Sequence, residues 1–291
     1  MVGLVERKVS NSAIWCRRLA IFAVFYFAAI IILHRLDRLE STYAVNLLGF
    51  GFVVLVISIL FAVRAMIQLW NVGAKGGKKT IFGLSLSLIM ISPFIYYALL
   101  AMRYPPINDI STHSIDRPKF SESTLNLRRL KGVSEANDVI SQIDEDDLDA
   151  ILFAYPEISP RRYPAGSERV FKAVREIVKE RGWQVTDIRR RAGQVDPPGN
   201  NSGQSNANLV KVDELEQDGE KDILIDAVTS TLYFSFKNDV VIKIVSEEDN
   251  TLVEMRSAGR WGRHDFGENA RIITNFMRDL DKSLVGSSGE G

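Results

Sequence analysis

Cysteine is almost missing from this chain: Cys16 stands alone among 291 residues, which rules out an internal disulfide and a cysteine cage for zinc. Histidine is scarce too, at three residues, and neither a His-x-x-x-His nor a Glu-x-x-His spacing occurs. A metal site would have to gather Asp109, Asp265 and a histidine from distant segments, so no metal and no other cofactor is expected. Nor is there a Gly-x-Ser-x-Gly elbow for nucleophilic hydrolysis, since Ser257 lacks the first glycine. An excess of charge is absent as well. The 36 basic residues balance 36 acidic ones, which leaves no global field to attract nucleic acid. The run Gly-Ala-Lys-Gly-Gly-Lys-Lys-Thr at 73–80 departs from phosphate-loop spacing, follows no buried strand, and fits a basic loop between helices.

What the sequence does hold is unevenly placed apolar residues. They make up 46% of the chain and concentrate before Met102, whereas charge recurs every few residues after it. Residues 44–63 and 81–102 are long enough to cross a bilayer core of about 30 Å. The run at 19–33 is shorter, but Ala13, Ile14 and Trp15 extend it and Arg17 and Arg18 can snorkel. His34-Arg35-Leu36-Asp37-Arg38 offers no small-residue cleavage site, which argues for a span over a signal peptide. Three transmembrane helices are therefore expected, at about 14–36, 44–66 and 81–102, within a membrane domain of residues 1–103. Pro93 removes one donor in the third; Gly49, Gly51, Gly83, Ser85 and Ser87 are candidates for close helix approach.

Positive residues mark the cytoplasmic side. Arg7, Lys8, Arg17 and Arg18 precede the apolar run of the first span and Arg64, Lys75, Lys78 and Lys79 fall between the runs of the second and third, against Arg35 and Arg38 between those of the first and second. The expected protein is multi-pass in the inner membrane, with its N-terminus cytoplasmic and its C-terminal domain periplasmic.

Residues 104–165 have the composition of an extended linker with a short acidic helix at 139–153. A soluble α+β domain follows at 166–285. Val170, Phe171, Val174, Ile177 and Val178 fall on one face of a helix that Ser167 caps and Gly182 closes. Strands are expected at 183–190, 222–228, 232–236, 240–245 and 251–257, then a helix at 266–284, with a flexible insertion at 194–220 and a disordered tail at 286–291. The fold class is thus α+β: three N-terminal membrane helices, then an antiparallel sheet packed against helices.

The densest polar constellation spans 256–271, with four arginines around a helix start. Arg256, Arg260 and Arg271, with Ser257, Asn269 and free helix amides, form a candidate site for a phosphate, carboxylate or lipid headgroup. Asn108 and Asp109 are either a simple Asx-turn or one wall of that site. Against the anion reading, Asp265 with Glu268 makes a capping-box-like pair, and Arg256 and Arg260 can serve buried carboxylates such as Asp226 or Asp239. A hydrolase or transferase would take Asp265 or Asp239 as base.

Four motifs in order resemble the domain of unknown function family 1499: Pro106-Ile107-Asn108-Asp109-Ile110-Ser111-Thr112, Tyr155-Pro156-Glu157-Ile158, Phe236-Lys237-Asn238-Asp239-Val240-Val241-Ile242-Lys243, and the 256–272 block. The resemblance covers about 105–284. Gly259 stands where the family usually has Ser, His264 and Phe266 where Ser and Leu are usual, and His113 in place of a common Asp. The resemblance implies an envelope or organelle-associated protein and carries no activity. The leading expectation is a non-enzymatic protein whose partners are the lipid bilayer and an envelope protein or small anionic ligand; the alternatives are an envelope-acting enzyme and a structural subunit of a membrane complex.

Overall fold

The computed structural model describes residues 9–113, 116–130, 151, 153–191, 222–231 and 234–285. The insertion at 194–220, the tail at 286–291 and all but the end of the acidic helix at 139–153 lie outside them. The chain divides into two compact units, one comprising 1–106 with 230–236 and the other 107–229 with 237–291.

Three long helices build the first unit: α1 (Asn11–Arg35), α2 (Ser41–Val72) and α3 (Gly77–Arg103). Each is long and apolar enough to cross a membrane, with mean hydropathy of 2.1, 2.6 and 1.9 over an 18-residue window. Ser10 caps α1 by accepting from the Ala13 amide, and Gly73 ends α2 in the left-handed region. Between helices, where lipid offers no hydrophobic drive, small residues decide the approach. A side chain on Gly83 would lie 2.5 Å from Cys16 Sγ and 2.9 Å from the Arg17 amide nitrogen; one on Gly51 would meet the Phe27 ring. Ser58 Oγ donates to the Cys16 carbonyl at 3.0 Å and lies 2.9 Å from Ser87 Oγ. Gly49 and Ser85 take no part in this packing, since a side chain at 49 would meet open space and Ser85 is exposed.

The second unit is an antiparallel open sheet with helices on it. Its strands are β1 (Asp109–Ser111), β2 (Arg161–Tyr163), β3 (Gln184–Arg191), β4 (Asp222–Ser230), β5 (Lys237–Ser246) and β6 (Thr251–Gly259), and its helices α4 (Glu122–Leu130), α5 (Ser167–Glu180) and α6 (Glu268–Val285). Strand order is β1-β6-β5-β4-β3, and β2 also pairs with β6. Strands β4 to β6 follow one another through short connections as a meander, and β3 pairs with β4 although residues 192–221 separate them in sequence. The stretch read as a linker contributes to the sheet: β1 lies against 256–258 and β2 against 251–253, end to end along β6. Two local expectations are corrected. Gly166, not Ser167, holds the cap position of α5. Residues 234–236, expected in a strand, form a turn.

Side chains alternate between faces along a strand. Val240, Ile242 and Ile244 share one face with their register partners Ser257, Met255 and Val253, and this face meets α5 and α6. There Val170, Val174, Phe276, Met277 and Leu280 are buried, each contributing about 1.5–3 kcal/mol. On the opposite face Phe120, Leu224, Val241, Ala258 and Leu125 cluster.

Candidate functional site

That second face carries charge as well as the Phe120 cluster. Register places Asp109 beside Ala258, Val241 beside Arg256 and Asp239 beside Ala258. Asp109, 4% exposed, takes Arg256 Nε at 3.0 Å and Nη2 at 2.6 Å, with Arg117 Nη1 3.4 Å away. Arg256 also donates to the Pro118 carbonyl at 3.2 Å and stacks over Phe120 at 4.7 Å. Asp239, fully buried, lies between two guanidinia: Arg260 grips it in bidentate fashion at 2.6–3.1 Å and Arg128 donates at 2.7 Å. Arg128 reaches the Ala258 and Gly259 carbonyls as well, at 3.4 and 3.3 Å. Asp226 accepts from the Ser121 amide at 2.7 Å, Thr124 Oγ1 at 2.9 Å and Arg189 at 2.8 Å. Lower on the same face Lys243 Nζ meets Glu254 at 3.3 Å.

Five guanidinia thus face three buried carboxylates, with Asp187 3.7 Å from Arg189 as a fourth partner, and further donors rest on backbone carbonyls and the Phe120 ring. Charge buried this way is tolerated only when hydrogen-bonded and paired. Burial pushes the Arg117 guanidinium below its ordinary value, Asp109 opposing that and Arg256 adding to it. Among the described residues its buried Nε finds no hydrogen-bond partner.

At one end of the sheet a second network joins the loop after β6 to the start of α6. Asn108 Nδ2 donates to the Trp261 and Gly262 carbonyls at 3.0 and 2.7 Å, and its Oδ1 accepts from Asn269 Nδ2 at 3.2 Å. Ser257 Oγ donates to Asn269 Oδ1 at 2.7 Å. The Asn108 amide fills the space beside Gly259, where any side chain would collide with it, its Cβ falling 2.2 Å from Asn108 Oδ1. Asp265 caps α6, accepting from the Gly267 and Asn269 amides at 2.9 and 2.8 Å. Burial raises its pKa, and those hydrogen bonds pull the other way. The helix amides expected to be free for an anion are therefore engaged by Asp265. Phe266 adopts a positive φ of 55°, its ring stacked on His264 at 4.6 Å.

The same elements are the ones a family comparison recognises. The family described as protein of unknown function, DUF1499, matches residues 109–280, more than half of the chain, from the first residue of β1 into α6. The chain belongs to the DUF1499 family. No curated protein and no solved structure matches it.

In this DUF1499 domain the candidate residues divide into three groups. Asn108, Ser257, Asp265 and Asn269 meet in the network at the start of α6. Asp109 with Arg256, and Arg260 with Asp239, belong to the charged face. Arg271 lies apart, exposed on the first turn of α6 and paired with Glu268. His264 and His113 each spend Nδ1 on a nearby amide, of Phe266 and Asp116. Among the described residues no His, Cys, Asp or Glu group could hold a metal. Sequence reasoning missed Arg117, Arg128 and Arg189, and it offered Asp226 as a partner for Arg256 where Asp109 takes that place. The available signal was an aspartate inside each of two apolar strands, Asp226 and Asp239, each of which demands a cation or donors nearby.

Proposed function

We propose that this DUF1499 protein is a non-enzymatic inner-membrane protein whose soluble domain lies in the periplasm and binds an anionic or lipid ligand, or a partner presenting such a group, at the outer rim of the 256–271 loop. One observation carries the reading. The inner arginines, Arg256 and Arg260, are held by Asp109 and Asp239 and so form a rigid base, while Trp261, Arg263 and Arg271 on the same segment are exposed. An exposed indole with exposed guanidinium groups on the same segment suits an anionic headgroup better than a neutral solute. Against an enzymatic reading, Asp239 is locked between two guanidinia and Asp265 is spent on a helix cap, so neither is poised as a base.

The orientation rests on the uneven Lys and Arg content of the loops. Alkaline phosphatase fused after Gly291 is expected to be active, and a reporter that fluoresces only in the cytoplasm to stay dark; the reverse pattern would overturn the periplasmic placement. Binding is tested with the full chain in neutral nanodiscs, titrated with soluble short-chain phosphatidylglycerol or phosphatidylcholine. Preference for the anionic lipid, weakened by added salt and by Arg263→Glu with Arg271→Glu, is expected. Equal binding of both lipids, or no effect of the substitutions, would refute it.

A further inference from the structure

The turn between β4 and β5 is apolar in a domain otherwise dense with charge, and it groups with the helices. The Phe236 ring stands edge-on to His34 at 5.2 Å and the Phe234 ring lies 5.7 Å from Tyr97. Arg35 Nε donates to Ser235 Oγ at 3.2 Å. Ile30, Ile31, Leu48, Phe234 and Phe236 line a small apolar pocket with His34. His34 is in the last turn of α1, Leu48 near the start of α2 and Tyr97 near the end of α3. Successive spans run in opposite directions, so all three mark the same end of the bundle.

We infer that this turn is a lipid-contacting element, with Phe234 and Phe236 at the headgroup–acyl boundary of the bilayer that the helices cross. The depth follows from its neighbours. Tyr97 lies six residues, about 9 Å at 1.5 Å per residue, inside Arg103 at the end of α3. Arg35, Arg38 and Arg103 bound this end of the bundle with charge, and the turn lies beside the first apolar turns within that boundary. Tyrosine and tryptophan concentrate at this level of a bilayer, and Phe234 packs on Tyr97 there. Both phenylalanines are half-buried against the helices, which leaves their remaining surface to what surrounds the bundle, and Tyr96, its ring 5.6 Å from that of Tyr97, is 57% exposed. The turn is built to hold them there. Thr231 N donates to the Phe236 carbonyl at 2.9 Å, Phe236 N to Thr231 Oγ1 at 3.0 Å, and Ser235 accepts a strained φ of +55°. This inference needs only that the helices cross a bilayer, and stands whichever way they cross and whatever the 256–271 loop binds.

The test places a nitroxide label on the full chain in phosphatidylcholine vesicles, in a Cys16→Ala background. Phe234→Cys and Ser235→Cys are labelled separately, with Glu248→Cys, exposed beyond the far end of β5, as the aqueous control. Oxygen concentrates in lipid and a nickel chelate stays in water. Labels on the turn are expected to collide several-fold more with oxygen, relative to the chelate, than the control label does. Should one substitution prevent folding, the other position carries the measurement. Collision ratios equal to the control would overturn the inference, and so would shielding from both reagents, which would make the turn a protein contact alone.

Discussion

Asp239 is where the charged face is most exposed to a single perturbation. Replacing it with Asn takes from Arg128, 1% exposed, the carboxylate it donates to at 2.7 Å, and strips Arg260 of its bidentate partner. Breaking a buried pair by removing one partner costs about 3–5 kcal/mol, because the remaining charge stays buried. Against a domain stability of about 5–15 kcal/mol, that is a large share. For a domain of this size it lowers the melting temperature by roughly 6–20 °C. Arg260→Ala is milder, about 1–3 kcal/mol, since Asp239 keeps Arg128. Adding Arg128→Met to Asp239→Asn removes the buried cation together with its carboxylate and is expected to restore most of the loss. Hydrogen exchange of the β5 and β6 amides in the full chain reads these openings locally, beside thermal unfolding in detergent. The reasoning fails if Asp239→Asn opens β5 no more readily than Arg260→Ala, or if the double variant is no better than Asp239→Asn alone.

Gly83→Ala drives a methyl group into the Arg17 backbone and Cys16 Sγ, and is expected to loosen α1 from α3 by about 1–3 kcal/mol; unchanged unfolding of the helices in bicelles would contradict the packing. Asn108→Ala removes the donor shared by the Trp261 and Gly262 carbonyls and the acceptor for Asn269, at about 1–3 kcal/mol, with faster exchange in the 259–267 loop as its mark. Asp265 gives a pH signature. Its pKa is raised on folding above the ordinary 3.8, so the folded state binds more protons than the unfolded one between the two values. Its contribution is therefore fully present below 3.8 and lost as pH rises through the raised value. The stability of the parent protein relative to Asp265→Asn is expected to fall across that window, and a flat difference in denaturant titrations would contradict the burial argument.

How much of this was legible depends on the range over which each signal acts. The spans were legible because a bilayer imposes a local demand, an unbroken apolar length, that the helices at 11–35, 41–72 and 77–103 meet within their own residues. The meander from β4 to β6 was legible for a similar reason, since short connections leave adjacent strands few other partners. The Arg260–Asp239 pair could be anticipated, because the two residues lie near facing ends of a hairpin. Arg256 could not be assigned to Asp109 in the same way: the two are 147 positions apart, and their meeting depends on β1 adding to the outer edge of β6 from a stretch whose composition resembles a linker. Arg128 left no trace at all, for a guanidinium on a short helix looks like any solvated charge until a buried carboxylate is seen to need it. The turn at 234–236 misled in the opposite direction. Alternating aromatic residues normally mean a strand with one buried face, yet here Phe234 and Phe236 meet Tyr97 and His34 of the helices. Period-two alternation reports that every second side chain leaves water and is silent about what receives it. In a chain with helices that can cross a membrane, an aromatic run beside charged strands is therefore a candidate for the bilayer surface before it is a candidate for the core.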